Sequence, residues 1–257
     1  MTKIFDTHTH YDDDSYDVDR DVLLDALLKE HIGGFIAIGC SVERSRLAVE
    51  LAGKYDSAYA AVGIHPSDTA GLPTDYLEIL RDMTKSQKVK AIGEIGLDYH
   101  YPDTDKPLQQ KVFREQIALA KELGLPVIVH SRDAYDDTLS IIKDTLLTNA
   151  VVHCFSENAE RAREISALGL YVSFTGVVTF KNGKTAREAL AAVPNERLML
   201  ETDCPYLAPE PFRGKRCDSS MLDRVVNAAA IARNVTPEEI VRVSNENAAR
   251  FFRISID

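Results

Sequence analysis

Pro107–His130 reads PLQQKVFREQIALAKELGLPVIVH, and the fold follows from how this stretch divides. Phe113, Ile117, Ala120 and Leu123 fall on one face at helical spacing, which predicts an amphipathic helix over Pro107–Leu123. Gly124 suits the left-handed residue that ends such a helix before Leu125-Pro126. The run Leu125–His130 is then almost continuously apolar rather than alternating. A strand of that composition is covered on both faces, as in a parallel sheet.

The same kind of run recurs along the chain, for example FIAIGC, AVVHCF and RLML. Eight β-type runs are expected: Lys3–His10, Gly34–Cys40, Ala58–His65, Val89–Asp98, Leu125–His130, Ala150–Phe155, Tyr171–Thr179 and Arg197–Asp203. Helical patterns lie between them. Near the end, Leu222, Val225, Val226 and Ala229 make another helical stripe, and Thr236-Pro237-Glu238-Glu239 reads as a capping box. Eight strands, each followed by a helix, in about 250 residues predict an α/β chain of the (β/α)8 barrel type. The expectation is one domain over residues 1–257. A doubly wound open sheet is the alternative, but no GxGxxG turn is present.

Composition agrees with a globular chain. The 257 residues are 45% hydrophobic and 27% charged, and a chain of that size can bury roughly 73% of its extended surface. Thirty basic against forty acidic residues give a net charge of −10, which argues against grip on duplex DNA by massed Lys and Arg. A phosphate substrate stays open to it, since bound divalent cations supply positive charge locally. Cys40, Cys154, Cys204 and Cys217 lie far apart without a CxxC pair, and the N-terminal MTKIFDTHTH does not resemble a signal peptide. No apolar run approaches the ~20 residues of a membrane span. The expectation is a cytoplasmic protein with reduced thiols, with Asp12-Asp13-Asp14 as a solvated loop.

The histidines fall at strand ends: His8 and His10 in the first, His65 in the third, His130 in the fifth and His153 in the sixth. Asp203 closes the eighth, and Glu94 lies in the fourth between Gly93 and Gly96. In a parallel barrel the C-terminal strand ends share one rim, where the active site forms. His8 and His10, two apart on a strand, project to the same side. Glu94 and Asp203 each follow apolar strand residues, and a buried carboxylate needs a cation or several donors. Four imidazoles and two acids converging on one opening point to a metal centre. His31 is read as a helix C-terminal residue and His100 as a solvated one, neither with a catalytic role. Cys154 and Cys204 are read as small packing residues, because strand neighbours of His153 and Asp203 face the other way.

Several motifs then carry a resemblance: DTHTH (Asp6–His10), GIHP (Gly63–Pro66), GEIGLDY (Gly93–Tyr99), HSRDA (His130–Ala134), HCFS (His153–Ser156), SFTGVVTFKN (Ser173–Asn182), ETDCPYLAP (Glu201–Pro209) and RGK (Arg213–Lys215). Together they resemble the TatD family of metal-dependent deoxyribonucleases, in the amidohydrolase-like superfamily, and the likeness runs on to SNENAARFF (Ser244–Phe252). The resemblance implies two divalent ions, with His8, His10 and Asp203 on one, His130 and His153 on the other, and Glu94 bridging. Other amidohydrolase-like enzymes place a carboxylated lysine in the bridging role. Here Lys88 and Lys90 lie at the opposite end of the fourth strand, which leaves that role to Glu94.

The resemblance also implies hydrolysis of phosphodiester bonds in DNA, as a 3′–5′ exonuclease on single-stranded ends. Two ions about 4 Å apart bind a phosphodiester and activate water, with Asp203 placed as general base. Mg²⁺, Mn²⁺ and Zn²⁺ all suit carboxylate and imidazole ligands. His65, Arg132, Lys181 and Arg213 are candidate phosphate contacts, with Lys215 beside them, and Glu201 is a candidate supporting or proton-handling residue. The expected partner is a DNA end or another phosphodiester, with no membrane, acted on by a monomer. Glu157 after HCFS, and Arg216-Cys217-Asp218-Ser219 after RGK, depart from the family pattern and bear on substrate preference. Two alternatives are an amidohydrolase-like hydrolase of a small ester, amide or lactone, and a non-catalytic metal-stabilised scaffold. The scaffold predicts a lost ligand, and none of the six positions is missing.

Overall fold

The computed structural model describes residues 3–256. Eight strands alternate with helices in chain order: β1 (Ile4–Thr9), α1 (Arg20–Glu30), β2 (Ile32–Ile38), α2 (Val42–Lys54), β3 (Ala58–Val62), α3 (Tyr76–Met83), β4 (Val89–Asp98), α4 (Lys106–Leu123), β5 (Val127–Arg132), α5 (Tyr135–Asp144), β6 (Ala150–Val152), α6 (Ala159–Ala167), β7 (Tyr171–Phe174), α7 (Lys184–Ala192) and β8 (Leu198–Leu200). Two further helices, α8 (Leu222–Arg233) and α9 (Pro237–Phe252), follow. The sheet runs β1 through β8 in sequence order, and Thr9 bridges in parallel to Cys204, just beyond β8. The fold is a (β/α)8 barrel.

Residues up to Ile36 together with those from Cys154 onward form one compact unit; Ala37–His153 form the other. In the Ala37–His153 unit, β4 is buried along nearly its whole length and pairs in parallel with β3 and β5. Helix α4 buries Phe113, Ile117 and Ala120 as expected, and also Gln109 and Gln116. Gly124 ends it in the left-handed conformation. In the other unit, Pro237 opens α9 and the Thr236 side chain accepts from the Glu239 N–H.

β1 is one residue shorter at each end than the sequence suggests, and four strands stop well short of their expected ends. β3 stops at Val62, β6 at Val152, β7 at Phe174 and β8 at Leu200. Three of these extensions bend away for a local reason. After β6, Cys154 takes φ 45°, and after β8, Asp203 takes φ 61°, so neither chain can continue extended. After β7, Gly176–Thr179 coil into a short 3-10 turn, where a Cβ at Gly176 would collide with the Leu207 carbonyl. The acidic run is also only partly a solvated loop: Asp12 is buried, while Asp13 caps a 3-10 turn by accepting from Ser15 N–H.

Candidate metal centre

Within the Ala37–His153 unit, four of the anticipated residues come together. Glu94 Oε1 lies 2.6 Å from both His130 Nδ1 and His153 Nε2, and those two nitrogens are 3.2 Å apart. His65 Nε2 stands 3.7 Å from the same oxygen. The approach depends on glycine: Gly96 pairs with His130 across β4 and β5, and a Cβ there would collide with the His130 carbonyl. Burial on its own would push the Glu94 carboxyl up, but the His153, His130 and His65 imidazoles outweigh it and hold the group well below the usual carboxylate range. Burial conversely pushes His65 down to about 4.

Two glutamines on α4 fix this region, and neither was anticipated. Gln116 accepts from Ile64 N–H at 2.8 Å and donates to Ile64 O at 3.1 Å, which replaces the ladder bonds that β3 gives up before His65. Gln109, two turns earlier, accepts from Asp98 N–H and donates to Pro66 O. Their spacing of seven residues on a helix was a legible signal, hidden because polar residues on a helix read as solvent-facing. Asp98 was also missed. It is buried, its Oδ2 lies 3.4 Å from His130 Nε2, and with Glu94 and Gly96 it continues an every-second-residue row on β4.

In the other unit, His8 and His10 bring their Nε2 atoms to 3.2 Å, and Asp203 Oδ1 stands 3.6 Å and 3.3 Å from them. Asp203 N–H donates to His8 O and His10 N–H to Cys204 O, so β1 and the segment after β8 are zipped together around the cluster. Behind it lies a buried carboxylate, Asp6, which accepts from Thr202 N–H, Thr202 Oγ1 and Ser219 Oγ. Burial pushes Asp6 up to about 7 against those donors.

Glu201 lies beyond the end of β8 at Leu200, with an oxygen within 4.8 Å of a ring nitrogen of His8. It is buried and accepts from Cys154 N–H and Ser173 Oγ at 2.7 Å each. Arg132 is half-exposed and 3.9 Å from Asp98 Oδ2. Lys181 and Arg213 are exposed, in loops after β7 and β8, and Arg213 lies over the Phe180 ring. His31 caps α1, and His100 pairs with Asp133 at 2.8 Å. Cys204 is buried, with its thiol pushed up to about 12 chiefly by burial. Of the departures from the family pattern, Glu157 pairs with Arg161, Cys217 is buried with its N–H on Pro205 O, and Asp218 caps the turn at Ser220.

The donor sets fit a divalent ion. Ligands held at about 2.1 Å from one cation stand about 3.0 Å apart in octahedral and about 3.4 Å apart in tetrahedral coordination. The separations among His8, His10 and Asp203, and between His130 and His153, fall around those values. In each pair the facing imidazole nitrogens also meet a carboxylate oxygen, that of Asp203 beside His8 and His10 and that of Glu94 beside His130 and His153.

A family model described as TatD related DNase matches residues 5–253. The chain belongs to this family. A metal-dependent hydrolase of Bacillus subtilis, YabD, itself uncharacterized, is 41% identical to this TatD-family chain over 98% of it and 100% of the relative. The 3′-5′ ssDNA/RNA exonuclease TatD of Cronobacter sakazakii is 34% identical over 97% of each chain. The crystal structure of YjjV, a TatD homologue of Escherichia coli K12, superposes with a TM-score of 0.93 at 30% identity, over 98% of each chain. The TatD-family chain is a metal-dependent hydrolase acting on ester bonds. No helix of the described residues is long and apolar enough to cross a membrane.

Proposed function

We propose that this hydrolase removes nucleotides from the 3′ end of single-stranded DNA. The observation that carries the reading is the pair of His-carboxylate clusters, in each of which two imidazole nitrogens stand 3.2 Å apart, in a chain similar to an exonuclease over nearly its full length. His8, His10 and Asp203 would hold one ion, and Glu94, His130 and His153 the other. That the two ions act as a pair with Glu94 between them comes from the family resemblance. Ions held this way supply Lewis acidity for a phosphoryl oxygen and lower the pKa of water. The imidazole-rich donor set favours Zn²⁺ or Mn²⁺, and nuclease chemistry favours Mg²⁺.

The chain's own groups then have distinct tasks. The Asp203 carboxylate accepts the proton of the attacking water. His65 Nδ1 accepts from Ser67 N–H at 3.1 Å, so the neutral ring carries its proton on Nε2 and presents it as a donor to a phosphate oxygen. Lys181 and Arg213 supply charge to the strand being fed in, offsetting the net −10 of the molecule. The protein works as a cytoplasmic monomer of one domain, its four cysteines free.

The test is metal analysis followed by incubation with single-stranded DNA labelled at either end, comparing the parent with Glu94→Ala and Asp203→Ala. Metal-dependent release from the 3′ end, lost in both variants, is expected. Cleavage that survives both substitutions, or no release from the metal-loaded parent, overturns the reading. His65→Ala should keep its metal and turn over more slowly.

A further inference from the structure

Two arginines three residues apart in the loop after β8 are used in opposite ways. Arg216 presents its edge to Asp19, with nitrogens 2.7 Å and 2.6 Å from the two carboxylate oxygens. Arg213 presents a face: its Cζ sits 3.6 Å above the centroid of the Phe180 ring. Carbon atoms meet at about 3.5–4.0 Å, so the guanidinium must lie flat on the ring, since an edge-on approach would hold Cζ farther off. The backing ring is fixed. Phe180 is only 9% exposed, its N–H donates to Val177 O, and its carbonyl accepts from Gly183 N–H and from Arg187. The two loops are tied to each other by Glu210 N–H donating to Thr179 Oγ1.

Arg213 is exposed, as are Lys181 and Lys215 near it in sequence. Among the described residues no acidic side chain lies within ion-pairing distance of these three, in a chain with ten more acids than bases. The outer face and the N–H edge of Arg213 are therefore both open. A flat, aromatic ligand with an attached anion satisfies both at once, the ring on the guanidinium plane and the anion at its edge. A nucleotide has that shape.

We propose that the Phe180–Arg213 stack is a platform on which one base of the single-stranded substrate lies. The inference rests on the nucleic-acid reading above and adds a base contact to it. Arg213→Lys tests it, because lysine keeps the charge and loses the plane. Steady-state kinetics of the metal-loaded enzyme are measured on oligonucleotides carrying one abasic site, moved stepwise from the 3′ end. On an intact strand Arg213→Lys should raise KM about tenfold and leave kcat unchanged, and Phe180→Leu should act in the same direction. At one abasic position the parent should bind as weakly as Arg213→Lys, and the substitution should add nothing further. If the parent cleaves but Arg213→Lys matches it, with only Arg213→Ala impaired, Arg213 supplies charge alone and the platform is overturned. The platform is equally overturned if no abasic position abolishes the effect. A parent that neither cleaves nor binds any oligonucleotide overturns the nuclease reading itself, and the platform with it.

Discussion

Glu94 and Asp6 are both buried carboxylates on strands, 3% and 0% exposed, yet their surroundings differ in kind. Glu94 is faced by three imidazoles, Asp6 by two hydroxyls and two amides. Tyr11 and Ser219 share a bond of 2.7 Å; with Ser219 donating to Asp6, the Tyr11 O–H donates to Ser219, and the donors around Asp6 are all committed inward. An imidazole can release its proton and offer a lone pair; an amide N–H cannot. A carboxylate among hydroxyl and amide donors is a closed structural node, whereas one among imidazoles can exchange protons for a cation. The charges follow the same division: the imidazoles hold Glu94 low, and burial raises Asp6 to about 7.

Amide substitution at the two positions should separate these roles. On the proposed reading Glu94→Gln turns a ligand oxygen into a poor one, and nuclease turnover should fall about 10³-fold, about 4 kcal/mol of barrier. Its metal content should fall, and its melting temperature in chelator should stay near that of the parent. Asp6→Asn places an NH2 against groups that already donate, at a cost of about 1–2 kcal/mol of stability, while metal content holds. Elemental analysis, melting curves in chelator and DNA release read both. Retention of metal by Glu94→Gln, or its loss in Asp6→Asn, would break the comparison.

How much of this was legible depends on whether the signal was periodic or local. The β4 range Val89–Asp98 was read from the sequence unchanged, because apolar residues and glycines fill most of this long buried strand. β6 and β8 were over-extended because the chain beyond them is turned by single residues, the left-handed Cys154 and Asp203, whose side chains do not announce φ > 0. The histidines stood out as rare polar residues at apolar strand ends. Gln109 and Gln116 did not, since their importance lies in which backbone groups they meet across 11 to 52 residues of chain, nor did Asp98, whose carboxylate meets the His130 ring from the neighbouring strand. The stack of Arg213 on Phe180 was beyond sequence reading for the same reason.

A third carboxylate, Glu201, lies between the two kinds. Like Asp6 it accepts from hydroxyls and an amide, and the amide is that of Cys154, the residue after His153. Glu201→Gln keeps one acceptor oxygen for that N–H, and the Ser173 hydroxyl can reverse. The expected outcome is metal affinity about tenfold weaker, with kcat and its pH profile unchanged at saturating metal. A shifted pH profile would instead make Glu201 a proton carrier.

Asp19 completes the series on the surface, where its partner is the Arg216 guanidinium rather than an imidazole or a hydroxyl. Hydrogen bonding to Arg216 lowers the Asp19 carboxyl below its ordinary 3.8, so the folded state holds the proton less tightly than the unfolded chain. The resulting stabilisation is present above the unfolded value and disappears as pH falls through the lower folded value. Asp19→Asn should therefore melt slightly below the parent at pH 7 in low salt, with the gap closing below about pH 4. Added salt near 1 M, where the screening length is about 3 Å, should close it as well. Arg216 also covers the Tyr16 ring at 4.7 Å and donates to Ser15 O at 2.8 Å. If the gap persists through both acid and salt, those packing contacts carry the effect. The guanidinium–carboxylate pair would then contribute to position alone, unlike either buried carboxylate.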